Sequence, residues 1–263
     1  MGREFERREI ALRMALPRAV AVIANCVSGA ERIAKIYDVA PERIVTLPFL
    51  PSVAVRHHAG GKGTATAESV RARYGLPDDY VYYPAQFCVD KNHVYLLDAL
   101  AALEEKYGHR LHVAFSGSDN GNLAYIEDYV RKVGLAERAH FLGFVEEGEV
   151  PALYEGAKAL TMPSYAGPTN LPPLEAATLG CPVIYSDLPE WRDFMGDAAL
   201  YCDLKDPQSM ADHLHAVLTD AALVERLRGA GRRMIADLGE SRYAEILQPI
   251  IDDFAYLRRR WAR

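Results

Sequence analysis

The sequence predicts an α/β fold in which a parallel sheet is covered by helices on both faces. Beyond residue 80, short apolar runs of strand length alternate with longer segments that have the periodicity of amphipathic helices. This alternation is typical of parallel sheets, because each strand is followed by a helix that returns the chain to the same edge. The composition, with 50% hydrophobic and 25% charged residues, is that of an ordinary globular protein. We therefore predict a Rossmann-like sheet.

Residues 1–50 predict a small α/β block of their own. A charged helix is expected over 4–16, ended by Pro17, and the apolar run at 19–24 is typical of a buried strand. Ser28 is the expected cap of a helix over 29–37, and Glu31 completes a capping box. A turn and a second strand are expected over 41–48.

The segment 51–66 is expected to be a linker or mobile loop, because its composition shifts to proline, histidine, glycine, lysine and threonine. The pair His57-His58 and the run 60–63 (Gly-Gly-Lys-Gly) invite a metal or phosphate-binding interpretation. The spacing of a phosphate-binding loop and its strand-to-helix context are both missing. The linker interpretation is therefore favoured.

The alternation of strands and helices extends over residues 67–239. A long amphipathic helix, kinked at Pro249, is predicted for residues 240–263. Strands are expected at 81–84, 111–116, 139–142, 157–162, 182–186 and 199–201. Helices are expected at 66–74, 91–107, 123–133, 147–156, 172–179, 207–219 and 221–238. Ligands of parallel α/β sheets bind beyond the carboxyl ends of the strands, so the loops that follow strands are the candidate sites.

Four of these loops contain candidate site residues, and the first three are described here. In the first, Asp90 is the expected cap of the following helix, which places Lys91 at a helix start. A cation there opposes the helix dipole unless an anion lies nearby, and lysine is a good ligand for phosphate. The second loop, 116–122, contains Gly117 among residue types that any strand-to-helix turn prefers. The third loop contains Phe144 and Val145.

The fourth loop, 163–171, leads into a helix that opens on Pro172 and Pro173. Helix-start amides have no partner within the helix and form a natural anion site. The amides in question are those of Thr169, Asn170 and Leu171. Glu175 is expected in the first helical turn, where it could hold the hydroxyls of a sugar. Alternatively, it could merely complement the helix dipole or form half of a capping box.

The run from Leu171 to Ala176, followed by Gly180-Cys181-Pro182-Val183, resembles the donor-site signature of the GT-B glycosyltransferases of family 4. The preceding residues 167–170 (Gly-Pro-Thr-Asn) resemble a bacterial surface-polysaccharide subset of that family. The resemblance covers essentially the whole chain. It implies that 67–239 is the nucleotide-sugar donor-binding half, that 1–50 is a remnant of the N-terminal acceptor half, and that 240–263 is the helix that crosses back.

The resemblance also implies roles for individual residues. The family signature has two glutamates with seven residues between them. The second contacts the ribose and matches Glu175, whereas Gly167 stands in place of the first, which lies near the donor sugar. Family members also carry an arginine and, five residues later, a lysine. Lys91 matches the lysine and Gln86 stands at the arginine position. Backbone atoms at Phe144 and Val145 would recognise the nucleobase.

The function implied by the resemblance is retaining transfer of a sugar from a GDP- or UDP-linked donor to a polysaccharide or glycolipid acceptor, without a metal or other cofactor. The acceptor and much of the catalytic apparatus of such enzymes come from the N-terminal half. We therefore expect a chain of this extent to bind nucleotide and to transfer sugar poorly or not at all. Two alternatives stay open: a nucleotide-sugar epimerase of the same architecture, and a non-catalytic nucleotide-sugar-binding subunit, which Gly167 and Gln86 would permit.

Charge, cysteine content and hydropathy indicate which other classes of protein are disfavoured. The net charge of -6 argues against a nucleic-acid-binding protein, since phosphate contacts need a basic excess. Arginines cluster near both ends, and we favour solvated helix faces there over a patch for anionic lipid. Four scattered cysteines predict a reduced, cytoplasmic protein, and no apolar run approaches the ~20 residues that span a bilayer. Peripheral association with the inner face of a membrane and homo-oligomerisation stay open.

Overall fold

The computed structural model describes residues 2–166 and 171–261. The chain divides into two compact units. The smaller unit comprises Met1–Leu50 with Leu238–Arg263, and the larger comprises Pro51–Asp237.

The smaller unit contains two helices and two short parallel strands from the start of the chain. They are α1 (Gly2–Ala15), β1 (Val22–Ala24), α2 (Val27–Tyr37) and β2 (Ile44–Thr46), with Val22 opposite Ile44. The predicted cap of α2 is wrong. Ser28 lies inside the helix, and the thiol of Cys26 accepts a hydrogen bond from the Gly29 N–H at 3.3 Å. Cys26 has the extended backbone of a capping residue, which places the helix start two residues earlier than expected.

The larger unit is built on six strands, each flanked by helices. Its first elements are α3 (Val53–His57), α4 (Ala67–Tyr74), β3 (Tyr80–Pro84), α5 (His93–Tyr107), β4 (His112–Ser116), α6 (Leu123–Lys132), β5 (Ala139–Gly143) and α7 (Val150–Gly156). They are followed by β6 (Leu160–Met162), α8 (Leu171–Thr178), β7 (Val183–Ser186), α9 (Pro189–Met195), β8 (Ala199–Cys202), α10 (Pro207–Thr219) and α11 (Ala221–Ala236). The last helix, α12 (Glu240–Trp261), belongs to the smaller unit and runs through Pro249.

The strands of the larger unit form one parallel sheet in the order β5-β4-β3-β6-β7-β8. This confirms the predicted α/β fold with a Rossmann-like parallel sheet. The central strand β3 is buried on both faces, since Tyr80, Tyr82 and Tyr83 are all fully inaccessible. A buried tyrosine needs a partner for its hydroxyl group. Two of these hydroxyls reach the carboxyl edge of the sheet, where they help to shape the candidate site.

Two helices lie where the sequence did not predict them. The expected linker 51–66 contains α3, because Ser52 accepts a hydrogen bond from the Val55 N–H at 3.4 Å and Val55 is fully buried. Helix α9 was not predicted either. It begins with proline and buries Trp191 and Met195, which are four residues apart on one face.

Among the helices of residues 2–166 and 171–261, none combines the length and the apolar character that crossing a bilayer requires.

Candidate functional site

A cavity of about 260 Å³ lies at the carboxyl ends of β3, β4 and β5. Its lining residues are Tyr82, Pro84, Ala85, Gln86, Ser116, Gly117, Phe144, Val145 and Val150. Four predicted site residues from three separate loops therefore lie around one cavity: Gln86, Gly117, Phe144 and Val145. Phe144 leaves 84% of its surface exposed, so that most of its ring is available to a ligand.

Gly117 allows two of the cavity loops to approach each other closely. Its N–H donates to the Gly143 carbonyl at 2.9 Å, and the Ala85 N–H donates to the Ser116 carbonyl at 2.9 Å. A Cβ atom on Gly117 would lie 2.3 Å from the Ala85 carbonyl oxygen, and the φ angle of Gly117 is +148°. Any side chain at this position would therefore be strained and would collide with backbone.

The acidic residue of the same loop is used to begin a helix. Asp119 Oδ1 accepts hydrogen bonds from the N–H groups of Gly121, Asn122 and Leu123, at 2.8, 3.2 and 3.1 Å. These bonds, led by that from Leu123, lower the pKa of Asp119. The loop 116–122 therefore contributes its glycine to the cavity, while its carboxylate caps the start of α6.

Lys91 does not lie at a helix start, and the prediction that Asp90 caps the helix is wrong. Lys91 ends a short 3-10 turn, and Asn92 follows it in the left-handed conformation, with φ 54° and ψ 43°. Helix α5 begins only at His93. Asparagine tolerates the left-handed conformation better than most residues, which allows the chain to change direction there. Lys91 therefore lies two residues before the first residue of α5 rather than in its first turn.

The Lys91 ammonium group instead lies between the loops that follow β3 and β6. Its Nζ donates to the Ala166 carbonyl at 3.1 Å and pairs with Asp90 Oδ2 at 3.1 Å. Only 19% of the side chain is exposed. Burial opposes ionisation of Asp90, but hydrogen bonds from Cys88 and Lys91 outweigh it and lower the pKa of Asp90. Lys91 is thus a positioned cation rather than a solvated surface lysine.

Buried hydrogen bonds hold the same two loops together. The Tyr83 hydroxyl donates to the Lys91 carbonyl at 2.6 Å and is hydrogen-bonded to Ser164 Oγ at 3.1 Å. The Tyr165 N–H donates to the Asp90 carbonyl at 2.9 Å. Together these bonds fix the segment that leads to residue 166 beside the turn that carries Lys91.

Glu175 is the fifth residue of α8, so its predicted place in the first turn is wrong. The helix already includes Leu171, one residue before the expected start, and this moves Glu175 to the second turn. Glu175 is 8% exposed, and its carboxylate oxygen Oε2 accepts a hydrogen bond from the Tyr154 hydroxyl at 3.0 Å. A buried carboxylate in the second turn is neither a capping-box partner nor a simple complement to the dipole.

Two tyrosines connect Glu175 to the cavity wall, and the sequence interpretation did not include either of them. The ring of Tyr154 lies edge-on to the ring of Tyr82, with the centroids 5.0 Å apart. The Tyr82 hydroxyl is hydrogen-bonded to Ser116 Oγ at 2.7 Å, and both residues line the cavity. The available signal was that the two tyrosines lie within a predicted strand and a predicted helix, where a buried hydroxyl group needs a partner.

The remaining predicted residues of the fourth loop are Gly167, Thr169 and Asn170, and they lie outside the described residues. Within the described ranges, no three His, Cys, Asp or Glu side chains are grouped as ligands for a metal ion.

A buried histidine lies behind the Lys91 turn. His93 is 1% exposed, its ring stacks on Phe87 with the centroids 4.8 Å apart, and the Tyr83 ring lies 4.9 Å away. Burial, followed by the repulsion of the Lys91 ammonium, lowers the pKa of His93 to about 4. The imidazole is therefore neutral at neutral pH.

His93 is expected to make the fold sensitive to acid. Between its ordinary pKa of 6.5 and the folded-state pKa of about 4, the unfolded chain binds the proton and the folded chain does not. The free energy of unfolding should therefore fall as the pH drops through this range, by about 3 kcal/mol in total, and level off below it. Urea unfolding at pH 7 and pH 4.5 measures the loss. His93→Phe should remove the part of this loss in unfolding free energy that comes from protonation of His93. A loss in the variant equal to that of the unmodified chain would exclude His93 as the cause.

Comparison with known proteins identifies the class to which this fold belongs. The structure of HepE from Anabaena, solved with UDP and glucose, matches with a TM-score of 0.77 and 17% identity over 92% of this chain and 66% of that one. A glycosyltransferase from Rickettsia africae matches with a TM-score of 0.74 and 12% identity, over 88% of this chain and 63% of that one. These neighbours are GT-B glycosyltransferases, and the fold of this chain is of their type.

The sequence identifies the family. The family described as "Glycosyl transferases group 1" matches residues 68–234, and the chain belongs to this family. A D-inositol 3-phosphate glycosyltransferase from Corynebacterium diphtheriae is 25% identical over 262 residues. That match covers 97% of this chain and 61% of the relative, so the chain spans about three-fifths of the relative's length.

Proposed function

We propose that the chain forms the donor-binding part of a retaining glycosyltransferase that uses a GDP- or UDP-linked sugar and transfers it to a polysaccharide or glycolipid acceptor. The observation that carries the proposal is that Gln86, Gly117, Phe144 and Val145 surround one cavity at the carboxyl edge of the sheet. Ligands of parallel α/β sheets bind at this edge. Lys91 lies in the same loop as Gln86 and supplies a positioned positive charge.

The base, the ribose and the diphosphate of a nucleotide sugar each have a chemically suitable partner at this edge. The exposed Phe144 ring and the backbone at Val145 suit a nucleobase, and the Glu175 carboxylate suits the ribose hydroxyls. The Lys91 ammonium suits the diphosphate. When the bond between the sugar carbon and the diphosphate oxygen breaks, negative charge accumulates on the departing diphosphate. A cation held in place there stabilises this charge without reorganising, and the proposal includes no cofactor beyond the donor.

The presence of Gln86 supports a second candidate function, that of a nucleotide-sugar-binding subunit without transferase activity. The cavity wall carries a neutral amide where the resemblance implies an arginine, which removes one positive charge from the phosphate region. A transfer assay on the full-length protein separates the two candidates. The binding subunit would bind the nucleotide sugar and leave it intact in the presence of any acceptor.

Lys91→Met is expected to weaken the binding of a nucleoside diphosphate by about tenfold or more, because a charge-assisted contact to phosphate is lost. Titration calorimetry with UDP, GDP and ADP should first identify the preferred base. The affinity for the corresponding nucleoside, which has no phosphate, should be unchanged in the variant.

The matched control is Lys205→Met, since Lys205 is an exposed lysine in the loop after β8. It should bind the diphosphate as tightly as the unmodified chain. If Lys91→Met and Lys205→Met bind the diphosphate equally well, Lys91 does not contact the phosphates.

A further inference from the structure

A second cavity, of about 610 Å³, lies beside β8, at the edge of the sheet opposite β5. It is formed entirely within the larger unit, by β8, the turn that precedes it, α9 and α11. Its lining residues are Arg192, Gly196, Asp197, Ala199, Leu200, Tyr201, Arg226, Leu227, Ala230 and Arg233. The family resemblance and the proposed donor site do not account for this cavity.

Two of its arginines project from the same side of α11. Arg226 and Arg233 are seven residues apart, which is close to two helical turns, and both are exposed. Leu227 and Ala230 lie between them and are buried. Within the part of the chain that the structure describes, neither guanidinium group makes a hydrogen bond, an ion pair or a contact with an aromatic ring. Both groups are therefore available to an anion.

The opposite wall is more rigid. Arg192 pairs with both carboxylate oxygens of Asp187, and its guanidinium lies over the Tyr201 ring at 4.5 Å from the centroid. The Tyr201 hydroxyl donates to the Gly196 carbonyl at 2.7 Å, which fixes the turn 196–198. Asp197, in this turn, is the one carboxylate among the described lining residues.

We propose that this cavity binds a phosphorylated polyol, such as a sugar phosphate. Guanidinium groups match the geometry of phosphate, and two that lack protein partners lie on one wall. The Asp197 carboxylate would accept hydrogen bonds from hydroxyl groups, which a bare anion lacks. A volume of about 610 Å³ suits a small organic ligand rather than an inorganic phosphate ion alone.

The charge of the whole protein makes this cavity distinctive. With a net charge of -6, the protein has no general attraction for anions. Arg226 and Arg233 outnumber the one carboxylate among the described lining residues. They lie on α11, beside the outer strand β8, whereas Lys91 lies in the loop that follows the central strand β3. The inference therefore stands or falls independently of the proposed donor site.

The test measures the binding of glucose 6-phosphate by titration calorimetry, with glucose and inorganic phosphate as fragment controls. Arg226→Gln and Arg233→Gln should each weaken the binding of glucose 6-phosphate by about tenfold, because each removes a charged hydrogen-bond donor. Arg232→Gln is the matched control, since Arg232 is an exposed arginine of α11 that does not line the cavity. It should leave the affinity unchanged, as should Lys91→Met. Hydrogen exchange should slow at 196–201 and 221–236 on binding.

The same chemistry could reach the cavity on a lipid. Phosphatidylcholine vesicles with and without phosphatidylinositol 4-phosphate therefore form a second arm of the test. Binding to glucose 6-phosphate identifies a soluble ligand, and binding to the phosphoinositide vesicles alone identifies a headgroup. In either case the binding must be lost in the double variant Arg226→Gln/Arg233→Gln. Absence of binding in both arms, or equal binding by the double variant, would overturn the proposal. A loss confined to Lys91→Met would place the phosphate in the donor site instead and would also overturn it.

Discussion

Glu175→Gln is expected to lower the affinity for the preferred nucleotide by about 100-fold. The buried carboxylate would accept hydrogen bonds from both ribose hydroxyls, and a charged acceptor contributes about 1.5 kcal/mol or more for each. Glutamine keeps the shape of the side chain and can still accept the hydrogen bond from Tyr154. The loss should therefore report ribose binding rather than misfolding. Titration calorimetry measures it directly.

A comparison of sugars sharpens the test of Glu175. The unmodified chain should prefer the ribonucleotide to its 2′,3′-dideoxy form, and Glu175→Gln should largely abolish this preference. Glu147→Gln, which changes an exposed glutamate in the loop after β5, is the matched control and should keep it. A folded Glu175→Gln variant that retains both the affinity and the preference would show that Glu175 has no role in binding.

Gly117→Ala is expected to destabilise the larger unit by about 3 kcal/mol. An alanine at this φ angle is strained, and its Cβ would overlap the Ala85 carbonyl oxygen, which belongs to the backbone and cannot rotate away. The loops that follow β3 and β4 would have to separate. Because these loops line the cavity, nucleotide binding should weaken along with the fold. Urea unfolding followed by circular dichroism measures the loss of stability.

Gly121→Ala provides the matched control for Gly117→Ala. Gly121 lies in the same loop and also has a positive φ angle, +87°, but a Cβ atom there would meet nothing within 4 Å. Gly121→Ala should lower the free energy of unfolding by about 1 kcal/mol, through backbone strain alone, and should leave the nucleotide affinity unchanged. If the two variants are equally destabilised, the close approach of the two loops does not matter for stability.

The sheet was predictable because each strand is indicated by the pattern of its own short segment. Each of its six strands is a short apolar run, and the helices between them have their own periodicity, so that α10 begins and ends at the residues that the sequence predicts. Helix starts were less predictable. The sequence pattern could not show that Asn92 adopts the left-handed conformation or that Cys26 caps α2.

The loops that form the candidate site were predictable, but the contacts within it were not. Parallel topology alone places Gln86, Gly117 and Phe144 at one edge of the sheet. The contacts that position Lys91 and Glu175 join residues distant in sequence, Lys91 to Ala166 and Glu175 to Tyr154. Such pairs depend on how the strands are ordered and how closely the loops pack, and no local pattern encodes them.

The most direct test of the central claim is a crystal structure of this chain with its preferred nucleoside diphosphate. The account predicts the base against Phe144 and Val145, the ribose hydroxyls on the Glu175 carboxylate, and a phosphate oxygen within hydrogen-bonding distance of Lys91 Nζ. A nucleotide bound away from this edge of the sheet, for instance between Arg226 and Arg233, would contradict it.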